Sequence, residues 1–123
     1  MNKFLYVSLF LIAIFVVYKV LCSCLGKTEK FSEDVKKVYF IYADWCGHCT
    51  RFKPEWQKFE SSCAKQNVES HALNVDDQSN SKFIESNGVS SFPTIIVMKG
   101  NGEKTKYEGD RTSEDLMNFV KTF

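Results

Sequence analysis

Cys46 and Cys49 stand three residues apart in the stretch Trp45-Cys46-Gly47-His48-Cys49. At that spacing two thiols in the first turn of a helix can close a small disulfide and open it again. The unpaired N–H groups of a helix N-terminus favour a thiolate, which makes Cys46 the expected attacker. Cys49, one turn deeper, would attack Cys46 in a mixed disulfide and release the partner. A zinc half-site and a purely structural bridge are the other uses of such a pair. A closed zinc site needs four ligands, and the remaining candidates are Cys63, His48 and His71. His48, between the cysteines, adds positive charge that lowers the Cys46 pKa and destabilises the disulfide relative to the dithiol. A solvated His48 with little influence is the plainer alternative. This chemistry calls for no cofactor and no metal.

The pair must be held by the elements around it. Val38 to Ala43 (VYFIYA) is a continuous apolar, aromatic and β-branched run of the kind buried in parallel strands, and it ends at the cysteines. From Cys49 to about Lys65, Phe52, Trp56, Phe59 and Cys63 recur at helical spacing, which predicts one apolar face. Cys63 on that stripe reads as a buried inert thiol, with regulation by oxidation as the alternative. Pro54 lies inside the helix and should interrupt and bend it. Val68 to Val75 reads as a strand, with His71, Leu73 and Val75 on one face and Ser70, Ala72 and Asn74 on the other. Ser79 to Ser86 is a short helix closed by Asn87-Gly88. Thr94 to Met98 is a strand, Lys99 to Glu103 a hairpin turn, and Thr105 to Glu108 the returning edge strand. Thr112 or Ser113 caps a last helix whose inward face is Leu116, Phe119 and Val120. The order β, α, β, α, β, β, α implies an α/β fold with a mixed sheet covered by helices.

With 123 residues, 44% of them apolar and eleven of them Phe, the chain has material for one small domain with a real core. Sixteen Lys plus Arg stand against fifteen Asp plus Glu, and nothing in that balance points to a nucleic-acid partner. The first 26 residues form a separate hydrophobic segment. Phe4 to Tyr18 carries no charge, and Phe4 to Leu25 is long enough to span a bilayer, with Lys19 able to reach the headgroups. A cleaved signal peptide and a core helix of a soluble protein are the alternatives. Cys22 and Cys24 sit where acylated juxtamembrane cysteines sit, and Leu21-Cys-Ser-Cys24 also has some likeness to a lipoprotein cleavage site. Residues 27–37 form a polar linker in which Phe31 and Val35 could share one helical face, and residues 38–123 form the domain. The lysines after the segment favour a cytoplasmic domain, whereas a signal-like start favours translocation.

Three stretches carry a resemblance: YADWCGHCTRFKPEW at 42–56, FPT at 92–94 and YEGDRTSEDL at 107–116. In them the chain resembles the thioredoxin fold family, and within it the catalytic domains of protein disulfide isomerases. The resemblance implies a thioredoxin-like three-layer fold. It also implies that Pro93 is the cis proline facing the active site, with Phe92 offering backbone groups to a substrate peptide; a trans proline at a strand start is the alternative. Trp45 would sit at the rim as an apolar contact for substrate, and Tyr42 under the loop, where it could equally be plain packing. Arg111 is similar in position to an arginine that stabilises the resolving thiolate; an exposed Arg111 paired with Asp110 or Glu114 is the alternative.

Two departures stand out. The family buries a carboxylate six residues before the first cysteine, and this chain has Phe40; the lysine near that acid is replaced by Ala72. Either charge left alone would be buried unpaired, so their joint loss is coherent. Resolution by Cys49 should then be slower or lean on another group. The second departure is at the N-terminus, where 12 residues between Leu25 and Val38 leave room for at most one of the family's first strand and helix, so the sheet should be truncated at that edge. The expected activity is thiol–disulfide exchange, as oxidase or isomerase, with cysteine-containing client proteins and a redox partner. The membrane segment places the domain in the endoplasmic reticulum lumen or another extracytoplasmic space, or outside the cell if the segment is cleaved. A tethered reductase and a non-enzymatic binding module are the competing functions.

Overall fold

The computed structural model describes residues 2–25 and 35–123, with side chains from 2–20 and 35–123. Two compact units result, a helix and an α/β domain. Helix α1, Asn2–Leu25, is apolar around its whole circumference, and by length and composition Asn2–Val20 suffices to cross a membrane or to serve as a signal sequence. The side chains of Cys22 and Cys24, and the linker stretch 26–34 with Phe31, lie outside the described residues.

In the domain, strands β1 (Lys36–Tyr42), β2 (Val68–Asn74), β3 (Thr94–Met98) and β4 (Lys104–Tyr107) form a sheet of order β2-β1-β3-β4. The β1–β2 pair is parallel, and the other two pairings are antiparallel. This is the mixed sheet that the element order implies. β1 begins two residues earlier than its apolar run because Lys36 and Lys37 are already in register with Val68 and Glu69. The β3–β4 hairpin closes through Lys99 N–H to Glu103 O at 2.8 Å, and Gly102 supplies the positive φ of +89° that the turn requires.

Helix α2 (Gly47–Cys63) and helix α4 (Ser113–Thr122) cover one face. Between them and the sheet lie Val38, Phe40, Ile95 and Val97 of the strands and Phe52, Trp56, Phe59, Leu116 and Val120 of the helices. On the other face Tyr39 stacks on His71 and meets Phe83 of helix α3 (Ser81–Ser86), its ring 4.4 Å from the Phe83 centroid. α3 is preceded by a turn of 3₁₀ helix, Gln78–Asn80, so the predicted single helix is two short pieces. The result is a three-layer α/β arrangement.

Two local expectations need correcting. α2 runs unbroken through Pro54, which is exposed; the missing N–H removes one bond, while buried residues on both sides of it anchor the helix to the sheet. In α4 the third buried position is Met117, with Phe119 only half-buried against Tyr107 and Phe123. Between the two candidate caps the structure selects Thr112, whose Oγ1 accepts the Asp115 N–H at 3.2 Å.

Candidate active site

Strand β1 delivers the chain to the cysteines through a tight turn in which Cys46 N–H donates to Ala43 O at 3.2 Å. Cys46 then takes the N-cap position of α2, with extended backbone angles. Serine or aspartate in this position accepts an orphan N–H of the first turn; here the Cys46 sulfur does so, receiving the Cys49 N–H at 3.3 Å. A negatively charged sulfur is the better acceptor. The Cys46 pKa is accordingly lowered, first by the hydrogen bond from the Cys49 thiol, then by the backbone N–H groups of Cys49 and His48 and the Arg111 charge, with partial burial opposing.

Cys49 differs. It is 0% exposed, and burial, reinforced by its hydrogen bond to Cys46, pushes its thiol from the ordinary 9.0 up to about 11. Both thiols are free, and their environments push their pKa values in opposite directions, Cys46 down and Cys49 up. Cys63, the third thiol of α2, is buried and also pushed up to about 11.

The other predicted site residues gather around Cys46. The Cys46 thiol reaches Phe92 O at 3.7 Å, and the Phe92–Pro93 bond is cis. Trp45 is 71% exposed and meets the Phe92 ring edge-on at 6.0 Å, which makes an apolar rim. A cavity of about 250 Å³ adjoins Pro93 and is lined also by Tyr107, Gly109 and Arg111. Arg111 forms no ion pair with Asp110 or Glu114 among the described residues. His48 is exposed, and it is its backbone N–H that acts on Cys46. Tyr42 is half-buried against Phe40, with ring centroids 5.2 Å apart. No group of three or more His, Cys, Asp and Glu side chains suited to a metal occurs among the described residues.

Two features escape the sequence reading. The Tyr107 hydroxyl reaches the Asp115 carboxylate and, at 2.5 Å, Asp110 O, and the Asp110 N–H also donates to Asp115 at 3.1 Å. This clasp closes the loop that bears Arg111, and Gly109 passes so near it that a Cβ would lie 2.6 Å from Asp115 Oδ2. The second is an ion pair, Lys53 Nζ to Asp44 Oδ1 at 3.0 Å. No sequence signal points to it, because the two residues lie nine positions apart.

The arrangement can hold a low-pKa sulfur at a surface lip with a second sulfur behind it. The sequence pattern of the Thioredoxin family matches residues 24–122. The chain belongs to the thioredoxin family. Protein disulfide-isomerase A4 of Bos taurus is 36% identical over 81 residues, 66% of this chain and 12% of that protein. Probable protein disulfide-isomerase A6 of Medicago sativa is 42% identical over 95 residues, 76% of this chain and 26% of that protein. The first thioredoxin domain of mouse Protein disulfide-isomerase A4, a solution structure, superposes with a TM-score of 0.63 at 30% identity, covering 72% of this chain and 62% of that one. This thioredoxin-family chain therefore spans less than a third of the length of these curated relatives.

Proposed function

We propose that the chain is a thiol–disulfide oxidoreductase of the protein disulfide oxidase or isomerase type. Its partners are cysteine-containing client proteins and a redox partner. The observation that carries this reading is the Cys46 sulfur in the N-cap of α2, receiving the Cys49 N–H at 3.3 Å beside the exposed Trp45 and the Phe92–Pro93 segment. In the oxidising direction a client thiolate attacks Cys46 of the Cys46–Cys49 disulfide, Cys49 leaves, and a second client thiolate displaces Cys46. Isomerisation begins instead with the Cys46 thiolate attacking a client disulfide. Trp45 and Phe92 give the client an apolar contact and a backbone edge. Arg111, by its positive charge, favours both thiolate forms, and the His48 backbone N–H favours that of Cys46. Helix α1, over residues 4–25, anchors the domain to a membrane in an extracytoplasmic space such as the endoplasmic reticulum lumen, and the N-terminal edge of the sheet is shorter than the family's.

Turnover of insulin disulfides by the full chain, abolished by Cys46→Ser, tests the reading. A reduction potential of about −180 mV supports the isomerase type, whereas one of about −270 mV would make the protein a tethered reductase. Phe40 in the place of an acid favours a second reading, a binding module that holds partners without cycling; binding that survives Cys46→Ser with no turnover in the parent chain would establish it. Alkylation of Cys46 by permeant and impermeant maleimides in intact membranes, repeated in detergent, tests the sidedness.

A further inference from the structure

A groove of about 190 Å³ runs beside α2, lined by Phe40, Tyr42, Lys53, Trp56, Glu60 and Ala72. Phe40 and Ala72 are direct partners across the parallel β1–β2 pair. They occupy the positions at which the resemblance to the thioredoxin fold family leads one to expect an acid and a lysine, so neither strand brings a charge here. Helix α2 does. Lys53 follows Cys49 by four residues, which puts the two side by side on one flank of the helix. Its ammonium is fixed: Asp44 Oδ1 is 3.0 Å away, and the Tyr42 ring centroid lies 4.6 Å away. Asp44 is itself held by Asn74 Nδ2 at 2.7 Å. The pair thus bridges the loop before Cys46 and the turn after Cys49.

We propose that Lys53, positioned by Asp44 and Tyr42, is a second cation, besides Arg111, that favours the Cys49 thiolate when the mixed disulfide is resolved. The inference rests on the redox reading above. In the step, the Cys49 thiol gives its proton to water and its sulfur attacks the Cys46 sulfur. The Cys46–Cys49 bond forms as the bond from Cys46 to the partner breaks, and the partner sulfur leaves with the electron pair and takes a proton from solvent. The partner is reduced, the protein is oxidised, and no other oxidant enters. Lys53 stays protonated throughout, since Asp44 chiefly, with smaller contributions from Tyr42 and Cys49, holds its pKa above the ordinary lysine value. Its effect is therefore electrostatic. Burial first and Cys46 second raise the Cys49 pKa, and the Ala43 backbone and the Arg111 charge lower it; Lys53 acts beside these, with its charge partly offset by the Asp44 carboxylate 3.0 Å away. Because Lys53 is partly exposed, solvent screens the effect to the low end of the range for a neighbouring charge.

The test uses the reduced full-length chain in detergent, mixed with oxidised glutathione between pH 6 and 9, acid-quenched and alkylated. The decay of the Cys46–glutathione adduct is followed by mass. Lys53→Met is expected to slow the decay about three- to tenfold at neutral pH and to move the pH–rate curve to higher pH, with attack by Cys46 little changed. Lys53→Arg keeps the charge and should remain near the parent rate. A Lys53→Met curve that does not move, or a Lys53→Arg chain as slow as Lys53→Met, overturns the inference while leaving the redox reading intact. A parent chain that never closes the Cys46–Cys49 disulfide overturns both.

Discussion

The two flanks of the cysteine pair are built on different principles. On the Pro93 and Arg111 side, polar groups do the positioning: Phe92 O faces the Cys46 thiol, and the Tyr107–Asp115 clasp ties down the loop that carries Arg111. On the Phe40 and Lys53 side, aromatic packing takes over. Phe40 is 1% exposed, edge-on to Phe52 at 5.1 Å and 5.2 Å from the Trp56 ring, and the charges of this flank sit on helix and loop, Lys53 paired with Asp44 and Glu60 bound to the Trp56 indole. The flank beside the half-buried Cys46 sulfur keeps the resemblance to isomerase domains in its residues. The flank beneath the buried sulfur departs from it at both charged positions together, as the cost of an unpaired buried charge requires.

This contrast can be broken most forcefully at Phe40. Phe40→Glu puts a carboxylate opposite Ala72 with no partner and should destabilise the domain by about 3 kcal/mol, read by urea unfolding. The same change should speed decay of the mixed disulfide, and adding Ala72→Lys should recover part of the stability. An undiminished midpoint would mean that the aromatic flank is not tightly packed. On the opposite flank, Gly109→Ala drives a methyl to 2.7 Å from the Tyr107 hydroxyl as well as onto Asp115. The clasp has to shift, and we expect a loss of about 2 kcal/mol. The smallest effect belongs to Arg111. Its charge lowers both thiol pKa values, so Arg111→Met should raise both. The pH curve for Cys46 alkylation should then move to higher pH by a few tenths of a unit, about what a screened surface charge provides. Equal curves for parent and variant would remove Arg111 from the site.

Much of this architecture is legible in the sequence. The β3 run TIIVM is flanked by a proline and a glycine turn, and its bounds agree with the structure. The α2 stripe is legible because helical periodicity and burial coincide at Phe52, Trp56, Phe59 and Cys63. What escaped depends on neighbours distant in sequence. Lys36 and Lys37 look like linker residues until β2 is placed beside them. Met117 rather than Phe119 fills the core because the rotation of α4 is set by what it packs against, and several apolar faces of that helix are compatible with its pattern. The charge at Asp44 and Lys53 was invisible for another reason: nine residues separate them, and only the fold of the loop onto the helix brings them to 3.0 Å.

The two tryptophans of the chain sit in opposite surroundings. Trp56 is 3% exposed, with its indole N–H bound to Glu60 at 2.8 Å, whereas Trp45 is 71% exposed beside the reactive sulfur. Their emission should therefore separate into a blue component that follows folding and a red component that follows the lip of the site. A bound client or a closed disulfide would alter the red component alone, giving the domain an intrinsic optical readout that needs no attached dye.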